Sequence, residues 1–236
     1  MQNIRAERAF YDKLFEDNPA NEHISDGYEE LHDLAFSASP QGTVLDIGCG
    51  TGGHAIRLAG RGFDIVAVDL TKPGVQAARA RFERAGLTGR FLVADAEHLP
   101  FRDGMADVIW SSLLIHHFPR LDLLPTELAR VTRRRLIAFE PNAQNPLSWL
   151  AFNVINPAVG LSTTTKNQRS LMPGKLVRTF KAAGFQSSEI HFIHRPWKDA
   201  QGGFAFVRRI FEIFTSWLPL RFKANKFMVI WDKALP

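Results

Sequence analysis

Apolar and polar positions alternate along this chain in a repeating order that begins near residue 43. Thr43–Ile47 is a short apolar run ending in glycines, and "GGHAIRLAGRG" follows with Ala55, Leu58 and Ala59 at helical spacing. "FDIVAVDL" predicts a second buried strand that ends at Asp69. "PGVQAARARFERAG" predicts a helix opened by Pro73 and closed at Gly86. "RFLVADA" and "ADVIWSSLL" read as strands, "LLPTELARVT" as a helix, and "RRLIAFEP" as a strand. "GKLVRTFKAAGF" is a helix stopped by Gly184, and "SSEIHFI" and "KFMVIWDK" are the last two strands. Seven strands alternating with helices predict an α/β fold, a mostly parallel sheet with helices on both faces.

Two regions break the rhythm. Residues 1–36 predict one or two helices before the first strand, ahead of the turn Ser39-Pro40-Gln41-Gly42. Residues 141–172 separate a strand from a helix where about 2–6 residues usually suffice, and connections of that length tend to serve function. The expectation is one domain over 1–236: an N-terminal helical cap (1–36), a cofactor-binding core (37–140), an inserted substrate cap (141–172), and a C-terminal part of the core (173–236). No repeat or low-complexity tract interrupts it.

Composition narrows the classes. The 236 residues are 45% hydrophobic, enough for one sizeable core. A single cysteine excludes a disulfide framework or a cysteine-rich zinc site. "MQNIRAERAFYDKLFED" has no apolar signal core, and no run of about 18 uncharged apolar residues occurs, so a cytoplasmic protein in a reducing compartment is expected. The net charge of +5 is unevenly spread: Glu16 to Asp33 is mostly acidic and the last third is basic. That basic part could meet phosphate or anionic lipid, or simply be a solvated face.

"LDIGCGTGG" (45–53) lies between the first strand and the first helix, where a parallel sheet opens a ligand crevice. Gly48-x-Gly50-x-x-Gly53 fits a dinucleotide fingerprint, and Asp69 ends the next strand about 20 residues on, where a carboxylate can hold ribose hydroxyls. To this point NAD and other adenosine cofactors are served equally. Asp46 separates them. A carboxylate just before the glycine turn repels a pyrophosphate but suits a ligand carrying an ammonium and a sulfonium. Asp95, after the third strand, offers an acceptor for an adenine amino group. The competing reading of Asp46 is a cap on the turn; Cys49 reads as a small packed residue, and Asp107 as a polar residue at a strand start.

These residues resemble class I S-adenosylmethionine-dependent methyltransferases, in the type 11-like branch that acts on small molecules and lipids. "VLDIGCGTGGHAIRLA" is similar to the family's first motif, which implies Asp46, Gly48, Cys49, Gly50 and Gly52 around the cofactor. "IVAVDL" resembles the second, with Asp69 and Leu70 at the ribose. "VADAEHLPFRDGMADVIWSSLLIHHF" resembles the third and fourth, which implies Asp95-Ala96 at the adenine and Ser111 near the methionine end. "ELARVTRRRLIAFEPNAQNP" resembles the fifth, except that Arg133-Arg134-Arg135 replaces the usual Pro-Gly-Gly turn. The resemblance is close over residues 40–145 and loose over 173–236. It implies a Rossmann-like sheet and S-adenosylmethionine as cofactor, with S-adenosylhomocysteine as product.

Methyl transfer needs alignment, exclusion of water and, for neutral acceptors, a base. His116 and His117 follow the fourth strand at the same crevice edge, and imidazole is the natural base near neutral pH. Packing under Phe118 is the competing use. Nucleic acid is not an expected partner: Ser111-Ser112-Leu113-Leu114 stands where base amino-methylating enzymes carry an Asn/Asp-Pro-Pro-aromatic run, and the sole cysteine lies in the cofactor loop. No cluster of metal ligands follows that strand. Trp149 and Tyr11 are candidate pocket walls. The stripe Phe204, Val207, Ile210, Phe211, Phe214, Trp217 and Leu218 has helical spacing with Arg208 and Arg209 off it. Peripheral membrane contact through 204–218 fits it, as does packing on the sheet or on a second subunit of a homodimer. The expected acceptor is small and hydrophobic or lipid-like. The rival classes are a non-catalytic module that binds the cofactor, and a nicotinamide oxidoreductase.

Overall fold

A computed structural model describes residues 4–19, 29–36, 42–150, 154, 168–194 and 217–233. Within them seven strands form one sheet: β1 (Thr43–Ile47), β2 (Asp64–Asp69), β3 (Arg90–Val93), β4 (Ala106–Ser112), β5 (Thr132–Pro141), β6 (Phe185–Ile193) and β7 (Lys226–Lys233). Their order is β3-β2-β1-β4-β5-β7-β6. The first five pair in parallel, and β7 runs antiparallel to both β5 and β6. The strand order reverses between β1 and β4, which places a crevice beyond their carboxyl ends.

The helices are α1 (Ile4–Asp17), α2 (Glu29–Phe36), α3 (Gly53–Gly60), α4 (Lys72–Arg84), α5 (Leu124–Val131), α6 (Pro146–Leu150), α7 (Pro173–Ala182) and α8 (Leu220–Lys223). Parallel strands buried on both faces must be apolar throughout, which is why β1, β2 and β4 are continuous apolar runs rather than alternating ones. One face carries Leu124 and Leu128 of α5 and Leu176 and Phe180 of α7, packed on Leu45, Ile109, Leu136 and Trp231. The other carries Leu31 of α2, Leu58 of α3, and Ala78 and Phe82 of α4, packed on Val44, Trp110 and Ile137. Each of these large side chains contributes about 1.5–3 kcal/mol by leaving water.

The departure at Arg133-Arg134-Arg135 has a structural explanation. These residues extend β5 toward its start instead of turning. Arg133 and Arg134 pair with Asp107, whose Oδ2 also accepts the Thr43 amide at 3.0 Å, and Arg135 pairs with Asp232 at 2.7 Å. Asp107 therefore ties the starts of β1, β4 and β5 together at the end of the sheet away from the crevice.

At the amino-terminal side α2 is fixed by a buried histidine pair. His32 Nε2 lies 2.9 Å from His54 Nδ1, and both rings pack on Trp110, His32 edgewise and His54 tilted. Burial lowers both imidazoles, His32 to about 4, so the pair stays neutral. Several expectations fall outside the described residues: the Ser39-Pro40-Gln41 part of the turn, most of the 141–172 segment beyond Leu150, and 204–216 of the apolar stripe.

Candidate active site

The glycine loop leaves β1 at Ile47 and enters α3 at Gly53. Gly48, Gly50 and Gly52 all take positive φ. At Gly52 a side chain would meet the backbone and Cβ of Ala78 on α4, and at Gly48 it would press into Leu114, so both positions need glycine for space as well as conformation. The Gly48 and Cys49 amides donate to Val68 O, hinging the loop to the end of β2. Cys49 is buried, its thiol pushed up first by burial and then by Asp69 and Asp46. It is a packing residue whose backbone shapes the loop.

Two carboxylates flank the loop. Asp69 Oδ2 accepts the Gly50 amide at 2.8 Å, while Oδ1 accepts the Thr71 amide at 2.9 Å and its hydroxyl at 2.7 Å. A carboxylate offers about four lone-pair sites, so capacity remains for a ligand. Burial nevertheless raises the Asp69 pKa. Asp46 is 2% exposed, and its Oδ2 has no hydrogen-bond partner among the described residues. Burial first, and the neighbouring Asp69 charge second, push it up to about 7. A buried carboxylate oxygen without a donor is costly and marks a place built for a ligand's donor. Two acids at one glycine loop fit a cationic group and disfavour a pyrophosphate. These two acceptors are of the chemistry that S-adenosylmethionine needs, with Asp46 suited to an ammonium and Asp69 to ribose hydroxyls.

Asp95 follows β3 beside Asp69, the Ala94 amide donating to Asp69 O. Its Oδ1 accepts the Glu97 amide at 3.0 Å, which fixes the turn that carries Ala96. Leu70 leads directly from Asp69 toward Thr71. Ser111 pairs with Ile47 and is fully buried, whereas Asp46 pairs with Trp110. The period of two sends these side chains to opposite sheet faces. Ser111 Oγ has no hydrogen-bond partner among the described residues.

Beyond β4 the chain turns sharply. Leu113 sits at φ 54, rare for a branched side chain, and a single 3₁₀ turn carries Ile115–His117. Glu140, at the end of β5, holds this turn. Its Oε1 accepts the Leu114 amide at 3.1 Å and the Ile115 amide at 2.7 Å, while Oε2 lies 2.8 Å from His116 Nδ1. Burial pushes Glu140 up to about 7 and His116 down to about 3. His117 stacks on His116, ring centroids 4.1 Å apart. Its Nε2 lies 3.2 Å from the Tyr11 hydroxyl and its Nδ1 3.5 Å from Glu7 Oε2, both on α1. Gln168 Nε2 donates to the same hydroxyl at 3.1 Å. Burial, then His116, lowers the His117 pKa against the pull of Glu7, leaving a neutral imidazole.

The structure therefore joins His116, His117 and Tyr11 in one corner, next to the loop that Asp46 and Asp69 flank. Phe15 of α1 lies over Gly50 and Gly74, so one helix covers both corners. Trp149 stands on α6, 49% exposed. Glu7, Glu140 and Gln168 escaped the sequence reading. Glu140 had a usable signal, a lone acid ending an apolar strand at the crevice; Glu7 and Gln168 had none.

Residues 45–137 match the family model of a methyltransferase domain. Over 105 residues, 43% of this chain and 38% of the relative, the sequence is 39% identical to a fatty-acid O-methyltransferase from Mycolicibacterium smegmatis. Over 101 residues, 42% of this chain and 46% of the relative, it is 38% identical to a demethylmenaquinone methyltransferase from Thermus thermophilus. The matches span less than half the length of these relatives. Among solved structures, magnesium protoporphyrin IX methyltransferase from Synechocystis PCC 6803 with bound SAH superposes with a TM-score of 0.68, covering 98% of this chain and 99% of that one at 15% identity.

Proposed function

We propose that this chain, which belongs with the class I S-adenosylmethionine-dependent methyltransferases through its methyltransferase domain and its fold, transfers a methyl group to a small hydrophobic or lipid-like acceptor. The observation that carries this reading is the buried, partnerless Oδ2 of Asp46 beside the Asp69 carboxylate at a glycine loop. When bound, S-adenosylmethionine supplies a methyl group activated on a cationic sulfur. Asp46, Asp69 and Asp95 would hold and orient it at the glycine loop. Phe15 shields the loop from water.

His117 is the better placed of the two histidines to take up a proton. Glu140 occupies His116 Nδ1 and uses that ring to fix the turn. His117 is kept neutral by burial and reaches Tyr11 through Nε2, toward the helix that covers the crevice. Leu150, Val154 and Met172, each more than a third exposed in the segment that follows β5, support an apolar acceptor. So do the relatives named for a fatty acid and for demethylmenaquinone. A peripheral membrane contact is supported by exposed Trp217 and Leu220 next to Arg221 and Lys223.

Calorimetry with S-adenosylhomocysteine and with NAD tests the central reading. Binding of the first and not the second is expected, with Asp46→Asn abolishing most of the affinity. Binding of NAD alone would overturn it.

A further inference from the structure

The segment that matches the family model begins at residue 45, yet the candidate acceptor corner is completed by α1, which lies outside it. Glu7 is 5% exposed, whereas on the same helix Asp12 is half-buried and Glu16 and Asp17 are exposed. Burying a carboxylate is expensive unless it faces a group that uses its charge. Glu7 faces His117, with Oε2 3.5 Å from Nδ1. On the far side of the same ring, Nε2 meets the Tyr11 hydroxyl, which also accepts from Gln168.

The proton positions follow from this order. A carboxylate at Nδ1 favours the tautomer with hydrogen on Nδ1, leaving Nε2 as an acceptor. Tyr11 then donates its proton to Nε2. Gln168 fills one lone pair of the phenol oxygen, and one lone pair is left. Glu7, His117 and Tyr11 thus form a directed chain of the kind that activates hydroxyl groups elsewhere: an acid orients an imidazole, which draws on a hydroxyl.

Resting on the methyltransferase reading, we infer that Glu7, His117 and Tyr11 form a proton relay for an acceptor that arrives neutral and proton-bearing, such as a phenol or an enol, rather than for a carboxylate. The acceptor oxygen donates to the free lone pair of Tyr11. As that oxygen forms its bond to the methyl carbon, the pair of the broken carbon–sulfur bond stays on sulfur. The acceptor's proton passes to Tyr11 Oη while the Tyr11 proton passes to His117 Nε2. One imidazolium beside Glu7 is the sole surplus, and the charge balances. A carboxylate acceptor is already ionised at neutral pH, needs no base, and would face Glu7 and Asp69, both of which act on Tyr11. Two cations lie nearby: Arg169 donates Nη2 to the Phe118 carbonyl at 2.8 Å and has a buried Nε without a partner among the described residues, and Lys226 lies over the Phe139 ring. Tyr11 and Glu7 are the specificity-determining pair, with Glu7 acting through His117 as a positioning residue.

The full chain loaded with S-adenosylhomocysteine provides the test, with 2-naphthol and 2-naphthoate as a shape-matched probe pair. NMR of the His117 ring is expected to show hydrogen on Nδ1 and a bare Nε2, and Glu7→Gln to lower the pH at which the ring titrates. Calorimetry is expected to show tighter binding of 2-naphthol, and Glu7→Gln to reduce that preference about tenfold, whereas Glu7→Asp keeps it. Thermal melts establish that each variant is folded. A His117 ring unmoved by Glu7→Gln, or 2-naphthoate bound at least as tightly by the wild type, overturns the relay. If neither probe binds, the His117 titration alone decides. Loss of S-adenosylhomocysteine binding in the wild type would instead overturn the methyltransferase reading itself.

Discussion

The two corners of this site are built in opposite ways. The cofactor corner is made almost entirely by residues 46–95, in which each strand end hands directly to the loop that follows it. The acceptor corner gathers Glu7 and Tyr11 from α1, His116 and His117 from the turn after β4, Glu140 from β5 and Gln168 from ahead of α7. Both hold buried acids, but these do different work. Asp46 has one oxygen, Oδ2, without a donor among the described residues, whereas both oxygens of Glu140 are engaged, by two amides and an imidazole. The lesson is that a buried carboxylate alone does not identify a binding group; what decides is whether its lone pairs are already taken.

Breaking the cofactor corner gives the largest effect. Asp69→Ala removes the ribose acceptor and also frees Gly50 and Thr71, so affinity for S-adenosylhomocysteine should fall about 1000-fold in calorimetry. An unchanged affinity would remove Asp69 from the site. Glu140→Ala leaves two buried amides without an acceptor and should cost about 3 kcal/mol in urea unfolding. Glu140→Gln keeps one acceptor oxygen and should cost far less. His117→Gln separates the corners. With an acceptor that turns over, kcat should fall about 100-fold while S-adenosylhomocysteine affinity stays unchanged. Equal losses in both would place His117 in the cofactor corner instead.

The smallest effect is the most diagnostic of Asp46. Its carboxyl must be ionised to receive an ammonium, and in the free protein it titrates near 7. Affinity for S-adenosylhomocysteine should therefore rise about tenfold from pH 6 to pH 8, and Asp46→Asn should flatten that rise. Stability moves the other way. A carboxyl whose folded pKa is raised contributes stability fully below its unfolded value, and that contribution is lost as pH rises through about 7. The ligand-free protein should thus melt lower at pH 8 than at pH 6, and Asp46→Asn should raise the melting temperature at pH 8. A melting temperature that climbs with pH over this range, in the variant as in the wild type, would contradict the buried placement of Asp46.

The strands were legible because most are apolar runs closed by turn residues, and β7 matches "KFMVIWDK" from end to end, whereas β6, FQSSEIHFI, is largely polar. The positions of Asp46, Asp69 and Asp95 were legible for a related reason, since each stands at or next to a strand end. Arg134 and Arg135 were read within the fifth strand, and β5 takes in Arg133 as well, with Asp107 and Asp232 pairing the three arginines. The choice between His116 and His117 could not be read from their adjacency. Glu7 was one acid among several at the amino terminus, and nothing local distinguishes a carboxylate that becomes buried from one that stays solvated.

The sequence by itself determined the strands, their order along the chain and the placing of two acids beside one glycine loop, because a parallel α/β sheet writes those features into neighbouring residues. Only the tertiary structure decided which histidine meets Glu140 and which meets α1. That choice depends on one carboxylate 24 positions away for His116 and on a helix residue 106 positions away for His117, brought to hydrogen-bonding range by packing alone.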